Sequence, residues 1–193
     1  MPREAPAWPS SVRKLWAWSA AAGLAAALAP ASLGANLSVS NANDSGAGSL
    51  RQALNNANAN AALDGISFSI GTGAHTIKLL SALPAITNAV SIDGTTQPGY
   101  AGKPLIELDG SGLLSGSGLL LMAGSNSVRG LVINGFPGHG IDIEGYGGNL
   151  IAGNFIGTDT SGTVAKANRS EGIYLSGSSN NLIGGSNSAE RNL

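Results

Sequence analysis

The residues that could do chemistry lie mainly between positions 139 and 174. In His139-Gly140-Ile141-Asp142-Ile143-Glu144 apolar and acidic residues alternate. On a strand this sends both isoleucines to one face and both carboxylates to the other. Carboxylates two residues apart on one strand face lie about 6.5–7 Å apart, in the lower part of the separation used by an inverting glycosidase pair. The spacing repeats at Glu171-Gly172-Ile173-Tyr174-Leu175, so that one repeat on Tyr174 takes the place of Asp142 and Glu171 that of His139. A tyrosine could stack on a sugar ring, and the carboxylates could bind sugar hydroxyls or Ca²⁺. The segment 158–169 carries Asp159, Lys166 and Arg169 and could wall one side of such a face. The catalytic candidates are therefore Asp142, Glu144 and Glu171. The candidates for carbohydrate binding are His139, Asp142, Glu144, Tyr174, Asp159 and Arg169.

Polar residues must also occupy the wet face of any half-buried strand, and that simpler role is the expected one for most of this set. One repeat earlier Leu120 and Met122 stand where Asp142 and Glu144 would be, so no acidic stripe continues along the face. A lyase acting on uronates needs a base and a means of neutralising the carboxylate; Lys166 and Arg169 offer these only from a loop. Asp93 and Asp109, each before glycine, read as turn residues. His75 precedes a strand, and Lys78 and Glu107 alternate outward as solubilising positions. The balance favours a binding scaffold over an enzyme.

Other chemistries are excluded outright. There is no cysteine, hence no disulfide, thiolate nucleophile or cysteine-based zinc site. Two histidines are too few for a histidine-only metal cluster, and no cofactor motif is present. Ten Lys+Arg against 11 Asp+Glu do not make a nucleic-acid binder. There is no nucleophile elbow, phosphate loop or dinucleotide fingerprint.

The elements that must position the candidates come from a repeat. Asn126-Ser127-Val128-Arg129-Gly130, Asn149-Leu150-Ile151-Ala152-Gly153 and Asn181-Leu182-Ile183-Gly184-Gly185 share the pattern Asn-x-(Val/Ile)-x-Gly. A second element recurs at Gly118-Leu119-Leu120-Leu121, Gly140-Ile141-Asp142-Ile143 and Gly172-Ile173-Tyr174-Leu175. The markers step by 22 or 23 residues, then both by 32, which places one insertion within Thr158–Arg169. A period near 22 made of short alternating strands suits the coil of a parallel β-helix. Neither a leucine-rich consensus nor a calcium-binding Gly-Gly-x-Gly-x-Asp repeat is present. Inward Val, Ile and Leu would stack one coil over the next, about 4.8 Å along the axis. The corner asparagines could hold a left-handed backbone and hydrogen-bond in a ladder along the axis. Further strands are expected at Ile66–Ile70, Thr76–Leu79, Val90–Asp93 and Leu105–Leu108.

An open coil end exposes apolar core and must be capped. Ser49-Leu50-Arg51-Gln52 is a capping-box pattern, and Leu50, Ala53, Leu54 and Ala57 form one apolar helical face. The spacing predicts an amphipathic capping helix over about 49–58. At the other end Asn192-Leu193 begins the element seen at Asn154-Phe155-Ile156. The β-helix of residues 36–193 is thus expected to be the front part of a longer one that continues into further coils, or a truncated gene product, and its last coil to fray or self-associate. Ahead of it, Arg13-Lys14 precede an Ala/Leu-rich run that exits at Ala29-Pro30-Ala31, the pattern of a secretory signal peptide. Residues 1–31 are its expected extent, with cleavage as late as Ala35 the alternative. The run is short for a membrane span, and no other span follows it.

Gly48-Ser49-Leu50-Arg51-Gln52-Ala53 resembles the Cys-Ser-Leu-Arg-Glu-Ala motif that opens the CSLREA-type domain of secreted bacterial proteins. Ile92-Asp93-Gly94-Thr95-Thr96-Gln97-Pro98-Gly99-Tyr100 and Ile156-Gly157-Thr158-Asp159 look like the same family. The resemblance covers about 41–193 and implies a right-handed parallel β-helix of the pectin-lyase-like kind. Gly48 and Gln52 replace the motif's Cys and Glu. The family shares an architecture more than a reaction, so no catalytic set carries over. The expectation is an all-β solenoid with an N-terminal capping helix. It is expected to be secreted or at the cell surface, probing extended carbohydrate as an adhesin or binding scaffold. A polysaccharide lyase or glycoside hydrolase working in a groove on the outer strand face is the alternative.

Overall fold

The computed structural model describes residues 34–193; the expected signal peptide lies outside them. Thirteen short strands and one α-helix follow in the order β1 (Asn36–Val39), α1 (Leu50–Asn58), β2 (Asp64–Phe68), β3 (His75–Lys78), β4 (Val90–Asp93), β5 (Ile106–Asp109), β6 (Leu119–Leu121), β7 (Ser127–Arg129), β8 (Leu131–Asn134), β9 (Ile141–Glu144), β10 (Leu150–Ala152), β11 (Phe155–Ile156), β12 (Ile173–Ser176) and β13 (Leu182–Ile183). They fall into three parallel sheets. Sheet A has the order β1-β2-β4-β7-β10-β13, sheet B β3-β5-β8-β11, and sheet C β6-β9-β12. From β4 onward the chain visits A, B and C in turn and pairs each strand with its equivalent one circuit later. This is a parallel β-helix, and its coils match the sequence repeat.

Register follows from the alternation of apolar residues. In sheet A, Ile66, Ile92, Val128, Ile151 and Ile183 pair in one unbroken column. In sheet B, Ile77, Leu108, Ile133 and Ile156 do the same, and in sheet C, Leu119, Ile141 and Ile173. A one-residue slip would turn each column outward, so the dry interior fixes the pairing. Most of these side chains have no exposure at all. Towards the last coil the interior opens: Leu175 is 39% and Ile183 43% exposed.

The asparagine corners form the expected ladder. Asn126 Nδ2 donates to Asn149 Oδ1 at 2.9 Å, and Asn149 Nδ2 to Asn181 Oδ1 at 2.8 Å. The same oxygens accept the backbone N–H of the asparagine one coil earlier, so each side chain closes the corner beneath it. The expected left-handed backbone is not at the asparagines. It sits one residue before them, at Ser125 (φ 61°), Gly148 (φ 76°) and Asn180 (φ 57°). That turn aims the following asparagine inward along the axis. A second ladder, unforeseen from sequence, joins Asn154 to Asn192 at 3.1 Å where sheet A turns into sheet B, and Asn154 Oδ1 also accepts from Leu131 N–H.

Helix α1 closes the first coil with Leu50, Ala53, Leu54 and Ala57 buried, and β1 adds a strand beside β2 that the sequence pattern had not singled out. Ser49 caps the helix by accepting from Gln52 N–H at 3.2 Å. The capping box is only half formed. The Gln52 side chain turns forward to Asn56 at 2.7 Å, because Ser49 N–H already donates to Gly46 O. Arg51 holds the helix to its surroundings through Asp44 at 2.7 Å, and the guanidinium also donates to Ser81 O and Ala82 O.

Two substitutions measure these stacks. Ile151→Ala should cost about 3 kcal/mol by leaving a cavity in the column. Asn149→Ala should cost about 3 kcal/mol by orphaning buried polar groups on both sides of the ladder. The exposed control Asn43→Ala should stay within about 0.5 kcal/mol. Urea unfolding followed by circular dichroism reads all three.

Candidate functional site

Sheet C carries the candidate face. Its inward residues build the core, so its outward column is Leu120, Asp142 and Tyr174, with Glu144 and Ser176 paired further along. The segment leading into β12 lies over the one leading into β9: Gly140 N–H donates to Glu171 O and Ser170 N–H to Gly138 O. His139 and Glu171 thereby become neighbours. The His139 and Tyr174 rings stack with centroids 4.5 Å apart and planes 9° from parallel. His139 Nδ1 lies 2.8 Å from Glu171 Oε2, yet among the described residues neither that contact nor any other gives it an aligned hydrogen bond. The pair is a charge contact available to a protonated imidazole. Asp142 Oδ2 accepts a long 3.4 Å bond from Ser117 Oγ, while its Oδ1 is shielded from solvent and has no partner among the described residues. Tyr174 remains 40% exposed.

His139, Asp142, Glu171 and Tyr174 are thus brought together, with Ser117 added. Ser117 had no signal in the sequence beyond its place one coil below Gly138-His139, where its Oγ accepts the His139 N–H. Glu144 stands exposed on the same face. Glu171 is mostly exposed and faces His139 rather than Asp142. The three carboxylates do not close around one point. Among the described residues no three acidic or histidine side chains converge to hold a metal ion.

The 158–169 insertion serves a different sheet. A bridge between Thr158 and Ala165 folds it into a small hairpin. Asp159 organises the hairpin by accepting from the N–H groups of Ser161 and Val164 and from Ser161 Oγ. The Ser161 bond leads the contributions that hold the Asp159 carboxyl below its ordinary range. Lys166 reaches down to Glu107 on the outer side of sheet B, 2.8 Å from Oε1. Arg169 is exposed, and its N–H donates to Phe136 O on the approach to sheet C. Asp159 and Lys166 therefore do not join the His139–Tyr174 group.

Glu107 corrects the sequence reading. Expected to be a solubilising outward residue, it is 5% exposed. It does point outward from the core, but the inserted loop covers that face. Its oxygens accept from Thr76 Oγ1 at 2.6 Å, Asn134 Nδ2 at 2.8 Å and Lys166 Nζ at 2.8 Å. Burial pushes the carboxyl up, but these three donors outweigh it and leave the pKa below the ordinary value. The bond to Glu107 raises Lys166. Asp93 and Asp109 are turn residues as expected, accepting from Thr95 N–H and Ser111 N–H.

Comparison with models of known protein families and with curated proteins finds no match.

Because the Glu107 carboxyl titrates lower folded than unfolded, its stabilisation is complete above the ordinary carboxylate range and is lost as pH falls through the folded pKa. Glu107→Ala should destabilise by about 3 kcal/mol, since it strips a buried charge partner. Lys166→Met, removing a half-exposed partner, should cost about 1 kcal/mol. Thermal melts at pH 7 and at pH 3 should show the acid-induced loss shrinking in Glu107→Gln.

Proposed function

We propose that this chain is an exported β-helix scaffold, of the CSLREA-type and pectin-lyase-like kind, that binds extended carbohydrate at or outside the cell surface. The observation that carries the reading is the outer face of sheet C. An exposed tyrosine stiffened by a stacked imidazole stands beside the half-buried Asp142 carboxylate, whose Oδ2 accepts a long 3.4 Å bond from Ser117 Oγ. A ring that presents apolar area at fixed orientation loses little side-chain entropy on stacking with a sugar. A carboxylate oxygen held by one long bond, as Asp142 Oδ2 is, can accept a second from a sugar hydroxyl.

The arrangement of acids argues for binding rather than turnover. A glycosidase needs two carboxylates across one bond, whereas here Glu171 pairs with His139, Asp142 faces Ser117 and Glu144 stands apart in solvent. The export signal, the low charge of 11% and the motif residues at 48–53 and 92–100 support a secreted scaffold of this family.

Retention on immobilised polysaccharide tests the reading. The chain should be retarded on at least one neutral or acidic polysaccharide gel, and Tyr174→Ala should weaken retention about tenfold, as expected for a lost stacking residue. No reducing ends or unsaturated uronides should form, with or without Ca²⁺. Turnover abolished by Asp142→Asn or Glu144→Gln would replace the scaffold reading with the enzyme.

A further inference from the structure

One cavity bordered by charged side chains, Arg129 and Glu190, lies away from sheet C. It is a groove of about 350 Å³ on the outer side of sheet A, and it meets a second hollow of about 140 Å³ at Gly102, Gly153 and Ala189. Two long connections from sheet A towards sheet B, at 94–105 and 184–192, form its walls. Between them β7 and β10 turn with single glycines, Gly130 (φ 69°) and Gly153 (φ 67°). These glycines are required by the walls. A Cβ on Gly130 would come within 2.7 Å of Thr95 Cγ2, and one on Gly153 within 2.6 Å of Ala189 O.

The first wall is the motif segment 92–100, which the sheet C face does not use. Its Gln97 is 1% exposed; the side-chain oxygen accepts from Ile70 N–H at 3.0 Å and the amide donates to Gly71 O at 2.8 Å. Thr96 Oγ1 accepts from Phe68 N–H at 2.7 Å. The segment is thereby pinned to the previous coil as a pedestal, and Tyr100 is carried on the groove. Across from it Arg129 projects from β7. Among the described residues its one charged contact is a 3.6 Å approach to Asp93, and Asp93 Oδ1 is already taken by Thr95 N–H and Oγ1. The side chain is half exposed. Glu190, also on the groove, directs Oε2 to Asn187 N–H within its own turn. Arg191 stands at the far hollow. The groove thus combines an aromatic wall, an apolar floor with Leu150, and a guanidinium with spare donors.

We infer that this groove is a second binding site, specific for a saccharide unit bearing an anionic substituent, carboxylate or sulfate, with Arg129 pairing the anion and Tyr100 packing on the ring. Arginine offers planar, two-pronged donation to either oxyanion. A peptide is disfavoured as occupant. β7 and β10 are each paired on both sides within sheet A, so no strand edge is free for main-chain addition, and recognition falls to side chains. The site shares no residue with the sheet C face, so either can fail alone.

Calorimetric titration of the whole chain with three probes tests it: a glucuronate tetramer, a sulfated cellotetraose and neutral cellotetraose. At least one anionic probe should bind, at least tenfold tighter than the neutral one, with affinity falling as salt rises. Arg129→Gln and Tyr100→Ala should each weaken that binding about tenfold or more, Arg129→Lys should restore part of it, and Tyr174→Ala should change it less than twofold. Circular dichroism confirms that each variant is folded, and Tyr100→Phe, keeping the ring, should bind nearly as the parent. Preference for one anionic probe names the source of the anion and supports the proposal equally. Equal binding of the neutral probe, no binding of either anionic probe up to about 10 mM, or indifference to Arg129→Gln would overturn it. Weakening by Tyr174→Ala alone would assign the binding to sheet C.

Discussion

In a parallel β-helix the residue beneath each side chain is its own equivalent from the previous coil, because parallel strands pair without offset over successive circuits. Every other feature of this molecule depends on that coincidence of like with like. Apolar positions become continuous columns, from Ile66 to Ile183 in sheet A. Polar corner positions become ladders, in which each asparagine amide finds another asparagine and a backbone N–H. A polar side chain that would be costly in isolation is satisfied by its own repeat. The chain needs few charges and few aromatic residues for this, which accounts for its composition.

The same constraint decides where function can sit. The interior is filled, so binding surfaces lie on the outer faces, and an outer face is shaped by which connections are long. On sheet B the 158–166 hairpin covers the outward face around Glu107, which holds it through Lys166. Sheet C kept its face open and gathered His139, Asp142 and Tyr174. Sheet A acquired walls because long connections at 94–105 and 184–192 flank two coils that turn with single glycines. Loop length, rather than the strands, separates the covered face from the two available ones.

Much of this was legible in the sequence. The Asn-x-(Val/Ile)-x-Gly repeat set the coil, the double lengthening of its markers located the insertion, and the Leu50/Leu54 face identified the cap. These signals are periodic, and periodicity survives in a single sequence. The rest depended on contacts between residues far apart in the chain. Nothing local marks Glu107 as buried, since what buries it is Lys166 and its loop, 59 residues away. Nothing local tells Asp142 from any wet strand residue until Ser117 and Tyr174 arrive from the coils on either side. Gln97 and Tyr100 were visible as a motif, but their division into pedestal and wall required the neighbouring turn at Ile70–Gly73. The ladder at Asn154 and Asn192 was hinted at by the recurrence of Asn before an apolar pair and was hidden by the irregular spacing of the last coil.

The stacking register itself is open to direct measurement. Methyl-labelled chain in solution should give through-space contacts between the methyls of Ile66 and Ile92, Ile92 and Val128, and Val128 and Ile151, one coil to the next without a gap. Contacts that skip a coil, or that instead join Val128 to Leu150 or Ala152, would contradict the columns and with them the placement of both outer faces.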